Sequence, residues 1–247
     1  MDPAYYVAAG SLKARAYQLD TISNNLANSA TVAYKPEKSF FAIFNKAAAD
    51  GRGLPLSGYL NDGTVLASRG TDFSQGTLKP TGRTMDLALE GSGFFLIRSS
   101  AGVQATRDGR MTMGKGGQLT TLDGAAVLGK NGQPITLDPT NPGFTVLADG
   151  TVQQGAETRG QINIQDYANP DVLQRAGANR FDTAGAIPKA SQATVTQGSL
   201  EQSGVDMATC MIDMIRMNRL YDMSMKVAST ITNDMDARSI SDVSTGH

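Results

Sequence analysis

The chain has one cysteine, one histidine and no tryptophan among its 247 residues, and each scarcity removes a class of function. A lone Cys210 cannot close an internal disulfide, so packing alone must hold the fold. It cannot build a thiolate metal site either, and inside an apolar helical pattern it reads as a small buried hydrophobe. The only histidine is His247, the last residue, which leaves no Ser-His or Cys-His nucleophile pair and no histidine ligand set inside the fold. An excess of charge is missing too: 22 Lys and Arg face 23 Asp and Glu. Without a basic stripe, and with aromatics at 6%, nucleic acid is not an expected partner. No run approaches the ~18 apolar residues of a membrane span, so direct membrane insertion is not expected. The opening Met1-Asp2-Pro3-Ala4-Tyr5-Tyr6 lacks the basic start and continuous apolar core of a secretory signal. That predicts either a cytoplasmic protein or one that leaves by a route without signal cleavage.

Glycine, by contrast, is plentiful, with 27 residues. Asp62-Gly63, Ser92-Gly93, Asp108-Gly109, Gly116-Gly117, Asp123-Gly124, Asn131-Gly132 and Asp149-Gly150 are turn-forming dipeptides. Between them run short apolar alternations such as Met85, Leu87, Leu89 and then Phe94-Phe95-Leu96-Ile97, which predict antiparallel hairpins from about Thr81 to Ala168. Gly51 to Gly70 is rich in glycine and polar residues with weak periodicity and reads as an extended linker.

The two ends differ from this middle. Between Pro3 and Ser29, Tyr5, Leu12, Leu19 and Leu26 recur every seven residues, with Ala8 and Ile22 in between, which predicts a helix with one apolar stripe. Pro36 stops any extension. After Gly204 neither Pro nor Gly recurs until Gly246, and Met211, Met214, Asn218, Tyr221, Met225, Ala228, Thr232 and Met235 alternate spacings of three and four, an a/d pattern. Ile212, Leu220, Met223, Val227 and Ile231 form a second stripe on the opposite face. A helix with one partner needs one stripe, so the excess predicts further partners, and methionine suits packing against non-identical neighbours.

The expected fold class is α+β, with N- and C-terminal helices pairing as a coiled coil around a central antiparallel β-rich domain. The expected divisions are 1–33 for the first helix, 34–80 for a linker and hairpin region, 81–196 for the β-rich middle and 197–247 for the last helix. Subunit contacts are expected at Leu12, Leu19, Ile22, Leu26, Met211, Met214, Tyr221, Met225, Val227 and Ile231.

Motifs for chemistry are weak. Gly109 to Lys115 has the G-x-x-x-x-G-K spacing of a phosphate loop, but Gly116 stands where Ser or Thr should follow. Turn residues come next in place of a helix, so a hairpin is the better reading. Gly91-Ser92-Gly93 begins a G-x-G, but Leu96 replaces its third glycine. Among Asp86, Glu90, Asp108, Asp123, Asp138 and Asp149, most abut turn glycines and serve to cap their own backbone. No enzyme activity and no cofactor are expected.

Ser23-Asn24-Asn25-Leu26-Ala27-Asn28-Ser29-Ala30-Thr31 resembles the N-terminal signature of the flagellar rod and hook family of bacterial axial proteins, with its core at Asn24, Asn25, Leu26, Ala27 and Asn28. Gln75-Gly76-Thr77-Leu78, Thr81-Gly82 and Asp86 to Phe95 resemble the family's central signature, continued by Thr106-Arg107-Asp108-Gly109-Arg110. Gln197 to Asp206 is similar to its entry into the last helix, followed by Met214-Ile215 and Arg219 to Met223. Departures are Ala33 for a glycine before Tyr34-Lys35, Gly204 for an asparagine, and Cys210-Met211 where acidic residues are common. The short length and small middle are most similar to the proximal rod branch, with the distal rod branch next and hook protein further away.

The resemblance implies a structural subunit of the basal-body rod that polymerises through its terminal helices into a torque-transmitting drive shaft. Implied partners are copies of itself, other flagellar rod proteins and the flagellar type III export apparatus. The implied location is the periplasm-spanning rod, reached without a cleaved signal. The competing class is a secreted β-rich binding or adhesion module whose helices merely dimerise. A carboxylate-based hydrolase would instead need two carboxylates facing one cleft.

Overall fold

A computed structural model describes residues 3–43, 64–141 and 143–244. The chain divides into two compact units. One contains Asn28–Pro36 and Thr71–Val205, and the other Met1–Ala27, Glu37–Gly70 and Asp206–His247.

The first is the β unit, and the alternation of its apolar residues explains its layering. At its centre lies strand Phe94–Ser99, paired on one edge with Gly102–Thr106. Its other edge pairs near the start with Ile164–Tyr167 and near the end with Ala126–Val127. Leu119–Thr121 and Met111–Met113 continue outward beyond Ala126–Val127. On the far side Arg180–Asp182 and Gln174–Arg175 extend from Gly102–Thr106. Each of these pairings is antiparallel.

Successive side chains of a strand face opposite sides, and Phe94-Phe95-Leu96-Ile97 distributes itself accordingly. Phe95 and Ile97 enter the larger core with Leu87, Leu89, Leu119 and Val152. Phe94 enters a smaller cluster with Tyr167 and Phe181, and Leu96 packs against it. Edge-to-face packing of Phe73 on Phe94 at 5.6 Å and on Phe181 at 5.1 Å tightens that cluster. Burying each such side chain contributes about 1.5–3 kcal/mol.

The phosphate-loop spacing belongs to a hairpin: Met111–Met113 pairs with Leu119–Thr121 through a tight turn at Lys115–Gly117. Asp123-Gly124 and Asn131-Gly132 are turns with glycine at φ +84° and +74°, whereas Asp62-Gly63 lies outside the described residues. Gly109 differs. Its backbone carbonyl accepts from Leu87 N at 2.9 Å, and a Cβ there would stand 1.5 Å from Leu87 O. Two backbones cross at that glycine.

Three sequence readings need correction. The hairpin region does not stop near Ala168, since strands continue to Thr194–Gln197, paired with Leu87–Glu90, and to Ser199–Glu201, paired with Leu78–Pro80. The stretch after Gln197 therefore begins as sheet, and helix starts only at Met207. The end of the Gly51 to Gly70 stretch, read as an extended linker, belongs to strand Thr64–Thr71, paired with Glu37–Ile43, and residues 51–63 lie outside the described residues.

The second unit holds α1, Pro3–Ala27, and α2, Met207–Ser244, which pack against each other. Pro3 opens α1 at the position where its missing N–H costs nothing. Asp206 caps α2: its carboxylate accepts from Ala208 N at 3.1 Å and from the Thr209 hydroxyl at 2.6 Å.

Candidate functional site

The covered side of α2 is set by Cys210, Met214, Met217, Tyr221, Ser224, Ala228 and Ile231, of which Cys210 and Met217 are buried and the others half-buried. These spacings alternate four and three, a heptad seam. Cys210 Sγ lies 3.4 Å from the carbonyl of Ile22 on α1, and burial pushes its thiol pKa up. A buried thiol with a raised pKa is a packing residue.

This seam lies one residue earlier than the predicted stripe at every second position. Met214 and Tyr221 belong to it, but Met211 and Met225 are 47% and 48% exposed. Ile231, assigned above to the outer stripe, is on the covered side, whereas Val227 is exposed. The cause is that apolar residues occur on more than one side of α2: where neighbours such as Cys210 and Met211 are both apolar, periodicity cannot choose between them. On α1, Leu12, Leu19, Ile22 and Leu26 are all half-buried, while Ala14 and Thr21 are the most covered. Ile212, Ile215, Met223 and Val227 are 57–64% exposed on the side of α2 away from the seam, with the exposed Arg216, Arg219 and Lys226 among them.

The Asn-rich segment that closes α1 has a definite mechanical part. Asn25 Nδ2 donates to the carbonyl of Glu37 at 2.9 Å, and Asn25 Oδ1 accepts from the Glu37 amide at 2.9 Å. The amide side chain thus stands in for one residue of a neighbouring strand. One helical turn earlier, Thr21 Oγ1 meets Ser39 Oγ at 2.7 Å. Four helical residues rise about 6 Å and two strand residues about 6.6 Å, so the two contacts are in step. Asn24 and Ala27 are exposed, and Asn28 accepts from the Thr31 amide at 3.1 Å.

In the β unit the structure reveals a group that spacing could not. Lys35, Arg107 and Glu201 are 1%, 4% and 1% exposed and meet at one carboxylate. Lys35 Nζ is 2.6 Å from Glu201 Oε1, and Arg107 Nη1 is 3.4 Å from Oε2. Glu201 Oε1 also accepts from Gly76 N at 2.7 Å, Lys35 Nζ donates to Ser74 O at 2.7 Å, and Arg107 Nη2 donates to Gly91 O at 2.6 Å. Burial pushes the pKa of both cations down, against the pull of Glu201. Lys35 and Glu201 are 166 residues apart, so no sequence pattern links them. Lys35 nonetheless follows Tyr34 just after the N-terminal signature, Arg107 lies in Thr106 to Arg110, and Glu201 lies in Gln197 to Asp206.

Nothing in these groups prepares bond chemistry. Among the described residues no cluster of three or more acidic, histidine or cysteine side chains could hold a metal ion. Asp108 accepts from Arg110, Asp138 from Thr140 and Asp149 from Thr151, each within its own turn. No described helix is long and apolar enough to cross a membrane.

Comparison with known proteins matches three separate segments. Residues 6–35 match the flagella basal body rod protein family, 88–154 the flagellar hook protein FlgE/F/G D1 domain, and 196–241 the flagellar basal body rod FlgEFG protein C-terminal family. Relatives include the flagellar basal-body rod protein FlgG of Borreliella burgdorferi, 32% identical over 93% of this chain and 95% of that one. FlgF of Caulobacter vibrioides is 32% identical over 90% of each chain, and FlgG of Bacillus subtilis 30% over 91% and 93%. The chain therefore belongs to the flagellar basal-body rod protein family, as a structural subunit of the rod and not an enzyme.

Proposed function

We propose that α1 and α2 form a coiled-coil pair and that the outward arc of α2 is the surface on which neighbouring subunits pack. Those neighbours are copies of this chain and of other rod proteins. A contact between different surfaces, repeated without closure, generates an open helical array, here the drive shaft that carries torque across the periplasm. The carrying observation is the arc of Ile212, Ile215, Met223 and Val227, which a paired helix leaves uncovered. The compact middle favours the proximal part of the rod over the distal part. The same reading includes export through the flagellar type III apparatus without signal cleavage, to be checked by N-terminal sequencing of the subunit from purified basal bodies.

Val227→Asp tests the contact surface. The expected outcome is a monomer with unchanged circular dichroism that fails to enter rods in cells lacking the wild-type chain. Wild-type incorporation of the variant would sink the proposal.

A further inference from the structure

The chain passes between its two units after Ala27, Pro36, Gly70 and Val205. Inside the β unit these crossings border three stretches: Asn28–Pro36, the start of Thr71–Val205 and its end. All three meet at Glu201. The first supplies Lys35, bonded to Oε1, and its Ala33 amide donates to the Glu201 carbonyl at 2.8 Å. The second supplies Gly76, whose amide also binds Oε1, and Ser74, whose carbonyl accepts from Lys35. The third carries Glu201 itself, and its Gly204 amide donates to Tyr34 O at 2.9 Å. The fit is close: a Cβ on Gly76 would lie 2.3 Å from Gln202 O, and one on Gly204 2.9 Å from the Pro36 ring.

Arg107 then joins this crossing to the sheet. It binds Glu201 Oε2, donates to Gly91 O, and lies 5.4 Å from the ring centre of Phe94 in the smaller core cluster. Each of the three family-matched segments thereby contributes one charge: Lys35 from 6–35, Arg107 from 88–154 and Glu201 from 196–241. Stability alone does not explain the choice, because a buried ion group seldom outperforms apolar residues of the same volume. What charges add is direction: one carboxylate fixes several partners that apolar contacts would let slide.

We infer that Glu201 is the fastening point for every segment that joins the β unit to the helical unit, and that twisting load carried along those segments passes through it into the sheet. The load half of this inference rests on the rod role proposed above, whereas the fastening half does not.

Hydrogen exchange on the full-length monomer tests the fastening. In Glu201→Gln, peptides covering 30–36, 72–77 and 199–204 should lose protection together, by about tenfold or more, while 119–127 and 151–154 keep theirs. Lys35→Met keeps the Glu201–Arg107 pair and fills the same dry space, so it guards against a variant that fails to fold. It should loosen 30–36 and 72–77 and spare 119–127. Loss confined to 199–204 in the first variant, or no change in the second, would overturn the fastening. For the load, Lys35→Met cells should build rods in normal number yet lose swimming speed more steeply than wild type as viscosity rises. Wild-type viscosity dependence, or absence of rods, would overturn that half.

Discussion

The β unit and the helical unit treat apolar surface in opposite ways. Phe95, Ile97, Met111, Leu119 and Val127 are fully covered in the first, whereas α2 leaves Ile212, Ile215, Met223 and Val227 more than half exposed in the second. A finished core draws its stability from within one chain. An uncovered arc gains nothing until another molecule covers it. With the function proposed above, the subunit separates what must hold its shape alone from what holds only in company.

The sharpest way to break this contrast is a pair of truncations. Phe95→Ala should destabilise the monomer by about 3–5 kcal/mol, because it opens a cavity in the larger core. Ile215→Ala should change monomer stability by no more than about 0.5 kcal/mol and lower instead the fraction of subunits that enter rods. Denaturant titration of dilute protein measures the first quantity in both variants. Comparable losses would mean that the arc is already covered in the free subunit.

A smaller effect is expected where the helical unit holds its own strand. Asn25→Ala removes the side chain that satisfies both backbone groups of Glu37. Partly solvated groups can recruit water, so the cost should be about 1–2 kcal/mol. Exchange of the Glu37 amide should rise while the amides of Phe95 and Ile97 stay slow. Unchanged exchange at Glu37 would show that the strand is held by other contacts.

These differences mark where the sequence was informative. The β unit could be read from turn dipeptides and alternation because strand period and turn chemistry are local. The presence of both terminal helices was legible for the same reason, and the family motifs announced the rod. Register on α2 was not, because Cys210 and Met211 are adjacent and both apolar, and because apolar residues also occupy the side of the helix away from the seam. The meeting of Lys35, Arg107 and Glu201 was invisible because it joins distant segments through a tertiary crossing. A trace of the strain there was legible: the family glycine expected before Tyr34 is Ala33 here, and its φ is +55°, the left-handed region where glycine is at ease.

The two units should differ least in their response to acid. Asp206 holds the first turn of α2 by accepting from Thr209 and Ala208, and those bonds keep its carboxyl below the usual carboxylate range. Asp138 and Asp149 are lowered in the same way by Thr140 and Thr151. A carboxylate with a depressed folded pKa adds stability above its unfolded value, about 3.9, and loses it as pH falls through the lower folded value. The Asp149 turn lies between the paired strands Thr145–Val146 and Thr151–Gln154, and the Asp138 backbone is held on both its groups by the Gln154 side chain, but a helix start has only its cap. Lowering the pH below about 4 should therefore fray Ala208 and Thr209 before the turns at Asp138 and Asp149, as seen by amide exchange or proton NMR. Asp206→Asn keeps an acceptor that cannot titrate, so it should flatten the pH dependence at those amides. If the asparagine variant frays over the same pH interval, the acid response of α2 originates elsewhere than its cap.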